Sequence, residues 1–483
     1  MRLSLLLTFL LVVFTSCGST PRPNILMVVI DTLRADRLGC YGNDQGLTPF
    51  LDSLAARGVV FHRAYAPSSW TSPSVASLFT SRFPSQHGVI RIGAAPSATE
   101  ITLAEILRDN GYASGGFSAN VILTGRADTS SNGSRVSGSG FGQGFDYFEA
   151  KAPKRSAGVR LRGLWATERA DEVNRDALQW LDGLAQSRQS PVFLYLQYME
   201  THIPYAPDET FLRHTCAGHE LPKVGQVNFR ALAGNKIGVD DSMLREIRAT
   251  YDAEVMSADA GLRSLFSQLA ERGFLDDAIV VVTSDHGEEF KDHGLLGHGK
   301  TLYNELIRVP LLILVPGQSE RVDVWDVVSL VDVAPTLVEW LQVERPDSFE
   351  GRSFRSDLLR ATRWWHALLP RIQEILVSKQ PRVAYSELLR GKNDRRLSPH
   401  ERALVMGSKK VILGVGGERE FYDTDLDPGE KNPDGVPARS RARLLDTLAA
   451  MLRHISHSAA ETETRPLDPA TREMLRALGY SDD

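Results

Sequence analysis

The chain has 483 residues, of which 42% are hydrophobic and 24% charged, with 55 Lys+Arg against 60 Asp+Glu. That is the balance of a folded globular protein, and it excludes a fibre, a disordered tail and a small disulfide-stapled module. A formal net charge of -5 offers no cationic field for wrapping a nucleic-acid backbone, so no nucleic-acid partner is expected.

Met1 and Arg2 precede a run from Leu3 to Phe14 that only Ser4 and Thr8 interrupt. The run is shorter than the roughly 20 residues of a membrane-spanning helix and reads as a signal peptide over 1–16. It ends in Phe14-Thr15-Ser16-Cys17-Gly18, which resembles the lipobox of bacterial lipoproteins, with Phe14 where Leu is usual. The resemblance implies lipidation of Cys17, a linker over 17–22, export to the bacterial cell envelope on the periplasmic or outer surface, and membrane contact through the lipid anchor only. An ordinary cleaved signal is the alternative. Cys40 and Cys216 are the other two thiols; they could pair, but two cysteines make no disulfide framework.

Asn24 to Ile30 is a continuous apolar run ending at Asp31, the pattern of a central parallel strand buried on both faces. A helix is predicted over 49–57, another over 99–110, then a Gly- and Ser-rich loop over 124–144. Further helices are predicted over 170–185 and 241–272, on either side of a strand at Phe193–Tyr198 and a loop over 203–238. Ala278 to Thr283 repeats the first pattern and leads into Ser284-Asp285-His286-Gly287. Val309 to Val315 reads as another strand, and a further helix opens at Asp332. Residues 363–395 show no strand character and read as a connector. Three short antiparallel strands (402–406, 410–413, 420–423) and a helix over 437–455 close the chain. The expected fold is α/β: a large mixed, mostly parallel sheet between helices over 23–362, then a connector and a small C-terminal α+β unit over 363–483.

Open α/β sheets place their sites at the carboxyl ends of strands. Asp31, Asp285 and His286 all follow predicted central strands, and two carboxylates with an imidazole make a sensible divalent-metal site. Asn120 follows a further strand and could reach the same place.

Pro23 to Arg37, Ser69 to Gly88, Thr283 to Pro310 and the tail Phe421 to Glu430 together resemble the sulfatase family of the alkaline-phosphatase-like metalloenzymes. The resemblance implies that family's fold and the hydrolysis of sulfate or phosphate esters. It aligns Thr71-Ser72-Pro73-Ser74-Val75 with the family's Cys/Ser-x-Pro-Ser-Arg, where Cys or Ser becomes formylglycine. Here the first position is Thr71 and the usual Arg is Val75, so no formylglycine is expected. A threonine hydroxyl beside a divalent cation can itself be a nucleophile. The resemblance to superfamily members with threonine nucleophiles implies Asp31, Thr71, Asp285 and His286 as metal ligands, the ion being Ca, Mn or Zn. Thr32 stands where many calcium-dependent sulfatases have a second Asp, and the imidazole moves the preference toward Mn²⁺ or Zn²⁺.

By the same resemblance His202, His298 and Lys300 contact the transferring group with Asn120; His202 is a donor to a charged oxygen or protonates the leaving alcohol, and His298 is an oxyanion contact or part of a partial second metal site. His293 reads as a hydrogen-bonded loop residue, and Glu200 replaces the usual Asp. The implied partners are a sulfated or phosphorylated glycan, lipid or small-molecule ester. Alternatives are a phosphodiesterase, a phosphoglycerol- or phosphoethanolamine-type transferase, and a noncatalytic anion- or glycan-binding lipoprotein of the same fold.

Overall fold

The computed structural model describes residues 22–123, 127–129, 135–137, 140–151, 169–185, 190–216, 238–361, 381–389, 401–414 and 416–456. The signal peptide, Cys17 and the first part of the connector, 363–380, lie outside the described residues. Among the described residues no helix is long and apolar enough to cross a membrane.

The main sheet has eight strands. In chain order they are β1 (Asn24–Ile30), β2 (Val59–Phe61), β3 (Ala113–Ser118), β4 (Tyr147–Ala150), β5 (Val192–Tyr198), β6 (Ala278–Thr283), β7 (Leu311–Leu314) and β8 (Val322–Val324). Their spatial order is β8-β2-β7-β6-β1-β5-β3-β4. All neighbours pair in parallel except around β7, which runs antiparallel to both β6 and β2. The apolar runs of β1 and β6 are continuous because helices cover both faces. Leu26, Val28 and Ile30 pack on one side with α1 (Pro49–Ala55), α4 (Ala170–Ala185) and α5 (Asp241–Glu271). Ile25, Met27 and Val29 pack on the other with α2 (Thr71–Thr80), α3 (Leu103–Asp109) and α6 (Val333–Trp340). Burying each such aliphatic side chain contributes roughly 1.5–3 kcal/mol.

A second, four-stranded antiparallel sheet is formed by β9 (Val383–Leu388), β10 (Glu401–Met406), β11 (Lys409–Leu413) and β12 (Arg419–Asp423). Its core includes Leu404, Val411 and Phe421 against Leu444, Leu448 and Ile455 of α7 (Ala438–Ser456). Strand β9 lies in the stretch expected to be a strandless connector. Ser386 and Glu387 break its apolar pattern, yet both are buried. Ser386 donates to Ala66 O at 2.7 Å, while Glu387 accepts from Tyr385 at 2.6 Å and from the Ser85 amide at 2.8 Å. Two loop readings are also corrected. Residues 203–238 include a helix, Glu209–Thr215, capped by the Asp208 carboxylate on Thr210 N. Residues 124–144 include a two-stranded antiparallel ribbon, Ala127–Thr129 with Arg135–Ser137. Cys40 and Cys216 are both free, buried thiols.

Candidate active site

Strand β1 ends at Ile30 and delivers Asp31; its neighbour β6 ends at Thr283 and delivers Asp285 and His286. On the helical side, Thr71 is the first residue of α2, after an extended Trp70. Ser74 Oγ, one turn on, donates to Asp285 O at 2.6 Å and ties that helix end to the strand end. The unpaired amides of a helix N-terminus carry partial positive charge, which favours an anion. Asp31, Thr71, Ser74, Asp285 and His286 are all fully buried.

Ligand atoms of Asp31, Asp285 and His286 lie within 4.8 Å of one another. His286 Nε2 is 3.6 Å from Asp31 Oδ1 and 3.6 Å from Asp285 Oδ2. Both carboxylate oxygens are buried without a hydrogen-bond partner. A buried, unpaired carboxylate oxygen is costly, and a cation among these three groups satisfies both. His286 Nδ1 donates to Gly287 O at 2.9 Å, which leaves Nε2 as the ligating nitrogen. Burial, and then His298, pulls the His286 imidazole down to about 4, so it is neutral as a ligand must be. Burial pushes Asp285 up to about 7, and burial followed by Asp285 raises Asp31. The residues present therefore fit a divalent cation. Thr71 Oγ1 stands beside them, 3.5 Å from Asp31 Oδ2 and 3.3 Å from His286 Nε2.

The structure places Asn120 against Asp31: Nδ2 donates to Asp31 Oδ2 at 2.7 Å, and Oδ1 accepts from Ile122 N at 3.0 Å. Gln197 of β5 donates to the same Oδ2 at 3.1 Å, and its own oxygen accepts from Tyr195 OH. Together they hold one Asp31 oxygen and leave the other for the cluster. Sequence reading missed Gln197, although a lone amide inside Phe193-Leu194-Tyr195-Leu196-Gln197-Tyr198 is itself a signal.

The His298 ring lies 4.6 Å from that of His286 and 4.9 Å from that of His202. Its Nδ1 bonds Glu288 Oε1 at 3.0 Å, and Glu288 Oε2 accepts from Tyr205 OH at 3.2 Å. Glu288 was also missed; burial pushes it up to about 7. His202 Nδ1 bonds Ile203 O at 2.5 Å. Lys300 Nζ donates to Leu296 O at 2.6 Å, and its charge is felt by both His298 and Glu288. His293 bonds Glu305 Oε1 at 2.6 Å and Glu430 O at 3.0 Å, away from the cluster. Glu200 caps α4 by accepting from Ala170 N. Val75, at the family's arginine position, is fully buried in the apolar core with Ala76, Leu78 and Phe79.

Thr32 takes φ 58°, a left-handed conformation that a β-branched residue rarely adopts. Every backbone and side-chain group there is used. Its amide donates to Asp285 Oδ1 at 3.3 Å, its hydroxyl to Thr201 O at 2.5 Å, and its carbonyl accepts from Tyr251 OH at 2.8 Å. Thr201 in turn donates to Asp31 O. The hydroxyl is thus committed to the Thr201 carbonyl.

A doubly covered α/β sheet with a buried Asp-Asp-His cluster and an adjacent hydroxyl defines a metallohydrolase of the alkaline-phosphatase-like type. The Sulfatase family model matches residues 23–343, and the chain belongs to the sulfatase family. It is 26% identical over 396 residues to the multifunctional alkaline phosphatase superfamily protein PehA of Trinickia caryophylli, covering 69% of this chain and 76% of that protein. It is 26% identical over 458 residues to the uncharacterized sulfatase YidJ of Escherichia coli, covering 85% and 82%. Among solved structures, a phosphonate monoester hydrolase of Agrobacterium radiobacter superposes with a TM-score of 0.70 at 21% identity, covering 92% of this chain and 100% of that one. A 2-O GAG sulfatase superposes at 0.66 with 18% identity, covering 95% and 96%.

Proposed function

We propose that this sulfatase-family hydrolase cleaves a phosphate or sulfate ester with Thr71 as the nucleophile. The observation that carries this reading is the Thr71 hydroxyl at a helix N-terminus, 3.3 Å from His286 Nε2 and 3.5 Å from Asp31 Oδ2. Asp31, Asp285, His286 and the Thr71 hydroxyl would hold the divalent ion; the imidazole favours Mn²⁺ or Zn²⁺ over Ca²⁺. When bound, such an ion supplies Lewis-acid polarisation of an ester oxygen and acidifies a neighbouring hydroxyl.

Thr71 Oγ gives its proton to Asp31 Oδ2, which it already faces at 3.5 Å, and attacks the phosphorus or sulfur in line as the bond to the leaving alcohol breaks. His202 gives the leaving oxygen a proton. Lys300 and the α2 amides stabilise charge on the nonbridging oxygens, and His298 orients the group. Water then attacks the Thr71 ester, giving a proton back to His202 while Asp31 returns the proton that re-forms the Thr71 hydroxyl; an acceptor alcohol in place of water makes the enzyme a transferase. The superposing proteins include a phosphonate monoester hydrolase and a GAG sulfatase. Both activities are compatible with one tetrahedral anion in this geometry, and the second supports a sulfated glycan as substrate. The apolar run and Cys17 support export and lipid anchoring at the cell envelope.

The test is metal analysis with a paired screen against 4-nitrophenyl sulfate and bis-4-nitrophenyl phosphate, for the native chain, Thr71→Ser and Thr71→Ala. Thr71→Ser should retain turnover. Thr71→Ala should lose on the order of 10⁴-fold or more; full metal-dependent turnover in Thr71→Ala removes the threonine nucleophile.

A further inference from the structure

We infer that Glu430 and Lys410 form a latch through which the C-terminal sheet positions the segment carrying His298 and Lys300, so that binding of the substrate anion depends on that sheet. The inference rests on the ester-hydrolase reading for the role of those two residues.

Lys410, on β11, is fully buried, and so is Glu430. Their charged groups meet at 2.7 Å, and Lys410 Nζ also donates to Asn304 Oδ1 at 3.1 Å. Glu430 takes φ 53°, which favours glycine, and the preceding Gly429 does not occupy that position. What requires glutamate there is its carboxylate, which meets Lys410 and the Asn304 amide. Oε2 accepts from the Asn304 amide at 2.7 Å, and the Glu430 carbonyl accepts from His293 Nε2 at 3.0 Å. His293 continues the chain of contacts, with Nδ1 on Glu305 Oε1 at 2.6 Å and its ring stacked on Tyr303 at 3.5 Å. Next to Glu430, Lys431 donates to Asp292 O.

The tail therefore grips the segment 292–305 at both ends, at Asp292 and His293 and again at Asn304 and Glu305. His298 and Lys300 lie between the two grips. The main domain holds the start of the same segment: Arg34 pairs with Asp292 at 2.8 Å and also donates to the carbonyl of Glu288, four residues earlier, at 2.9 Å. The segment also returns to the metal cluster. Gly287 N donates to Leu306 O at 2.8 Å, and a Cβ on Gly287 would stand 2.0 Å from Glu305 O. His286 has its own anchor in the Gly287 carbonyl, so loss of the latch should act on the anion contacts before the metal ligands.

A buried ion pair is a poor source of stability compared with apolar residues of the same size, and directional register is the better-attested use. Glu430 and Lys410 are thus positioning residues, and a stability role alone predicts different kinetics. The experiment compares the native full-length chain, Glu430→Ala, Glu430→Gln and Lys410→Met, all metal-loaded. It reads kcat and KM for the ester that the native chain turns over, the dissociation constant of vanadate, metal affinity, and Tm. Displaced positioning groups cost on the order of 10- to 100-fold. Glu430→Ala should raise KM and the vanadate constant by about tenfold or more, with metal affinity unchanged. Glu430→Gln, which keeps an acceptor for the Asn304 amide, should recover most of that loss. A lowered Tm with unchanged KM and vanadate binding overturns the latch. Should Glu430→Ala not fold, Lys410→Met decides alone, a raised vanadate constant supporting the latch and an unchanged one overturning it. If the native chain turns over neither ester, the hydrolase reading fails, and vanadate binding alone judges the latch.

Discussion

Thr71 Oγ1 lies 3.3 Å from His286 Nε2, although 215 residues separate them in the chain. The contact exists because α2 begins where β6 ends, and Ser74 bonds the two together through Asp285 O at 2.6 Å. It places a hydroxyl, a neutral imidazole and two unsatisfied carboxylate oxygens in one buried volume.

Asn120 and Gln197 both hold Asp31 Oδ2, so they should tune metal affinity without touching the metal. Outer-layer partners of ligating groups typically account for about 10- to 100-fold in affinity or activity. Asn120→Ala and Gln197→Leu should each weaken Mn²⁺ binding by about tenfold in a competition titration. Unchanged affinity in both would show that Asp31 needs no orienting donor.

Removal of the metal should lower Tm more at pH 8 than at pH 6. Asp285 has a folded value of about 7, raised by burial above its ordinary 3.8. A raised carboxyl holds its proton more tightly when folded, so the metal-free protein is relatively stabilised at low pH and loses that contribution as pH rises through 7. Melting curves with and without chelator at the two pH values check this, and an equal drop at both would contradict it.

Away from the metal, α5 carries buried acids that pin the first turn of α1 and the loop at Ala206. Asp259 accepts from the Phe50 and Leu51 amides at 3.0 and 2.8 Å, and Glu254 accepts from Ala206 N at 2.6 Å. Burial raises Asp252 and Asp259 to about 6 and Glu254 to about 7. The sign is the same as for Asp285: between about pH 4 and 7 the folded state binds more protons than the unfolded one, and stability falls as pH rises. Denaturation midpoints of the metal-free chain should decline across that window. Glu254→Gln should flatten the decline.

Thr32 tests strain against hydrogen bonding. Its φ of 58° costs on the order of 1–3 kcal/mol for a residue with a Cβ. Its hydroxyl bond to Thr201 O, at 2.5 Å, offsets part of that. Thr32→Val keeps the strain and leaves the buried carbonyl without its donor, which should cost about 1–3 kcal/mol. Thr32→Gly loses the bond and relieves the strain, so it should unfold at higher denaturant than Thr32→Val. The reverse order would show that the conformation carries little strain.

Much of the site was legible because strand ends are legible. An apolar run followed by Asp31, and another followed by Asp285-His286, identify the carboxyl edge of a parallel sheet from sequence alone. Gln197, Glu288 and Tyr251 were not found. Each acts through another residue, on Asp31, His298 and the Thr32 carbonyl respectively, and such partnerships have no periodicity. Strand β9 escaped for a related reason, since its buried Ser386 and Glu387 are matched by partners distant in the chain.

The sequence by itself determined the sheet class, the order of its main elements, the candidate ligand set and the presence of threonine at position 71. Those properties are local: a run of apolar side chains, its end, and the residue that follows. Tertiary structure alone decided that β7 runs antiparallel, that Val75 belongs to the core, that Cys40 and Cys216 stay apart, and that Glu430 grips the segment bearing His298 and Lys300. These are matters of strand direction and of which distant groups satisfy one another once water is excluded, and they are settled only by packing.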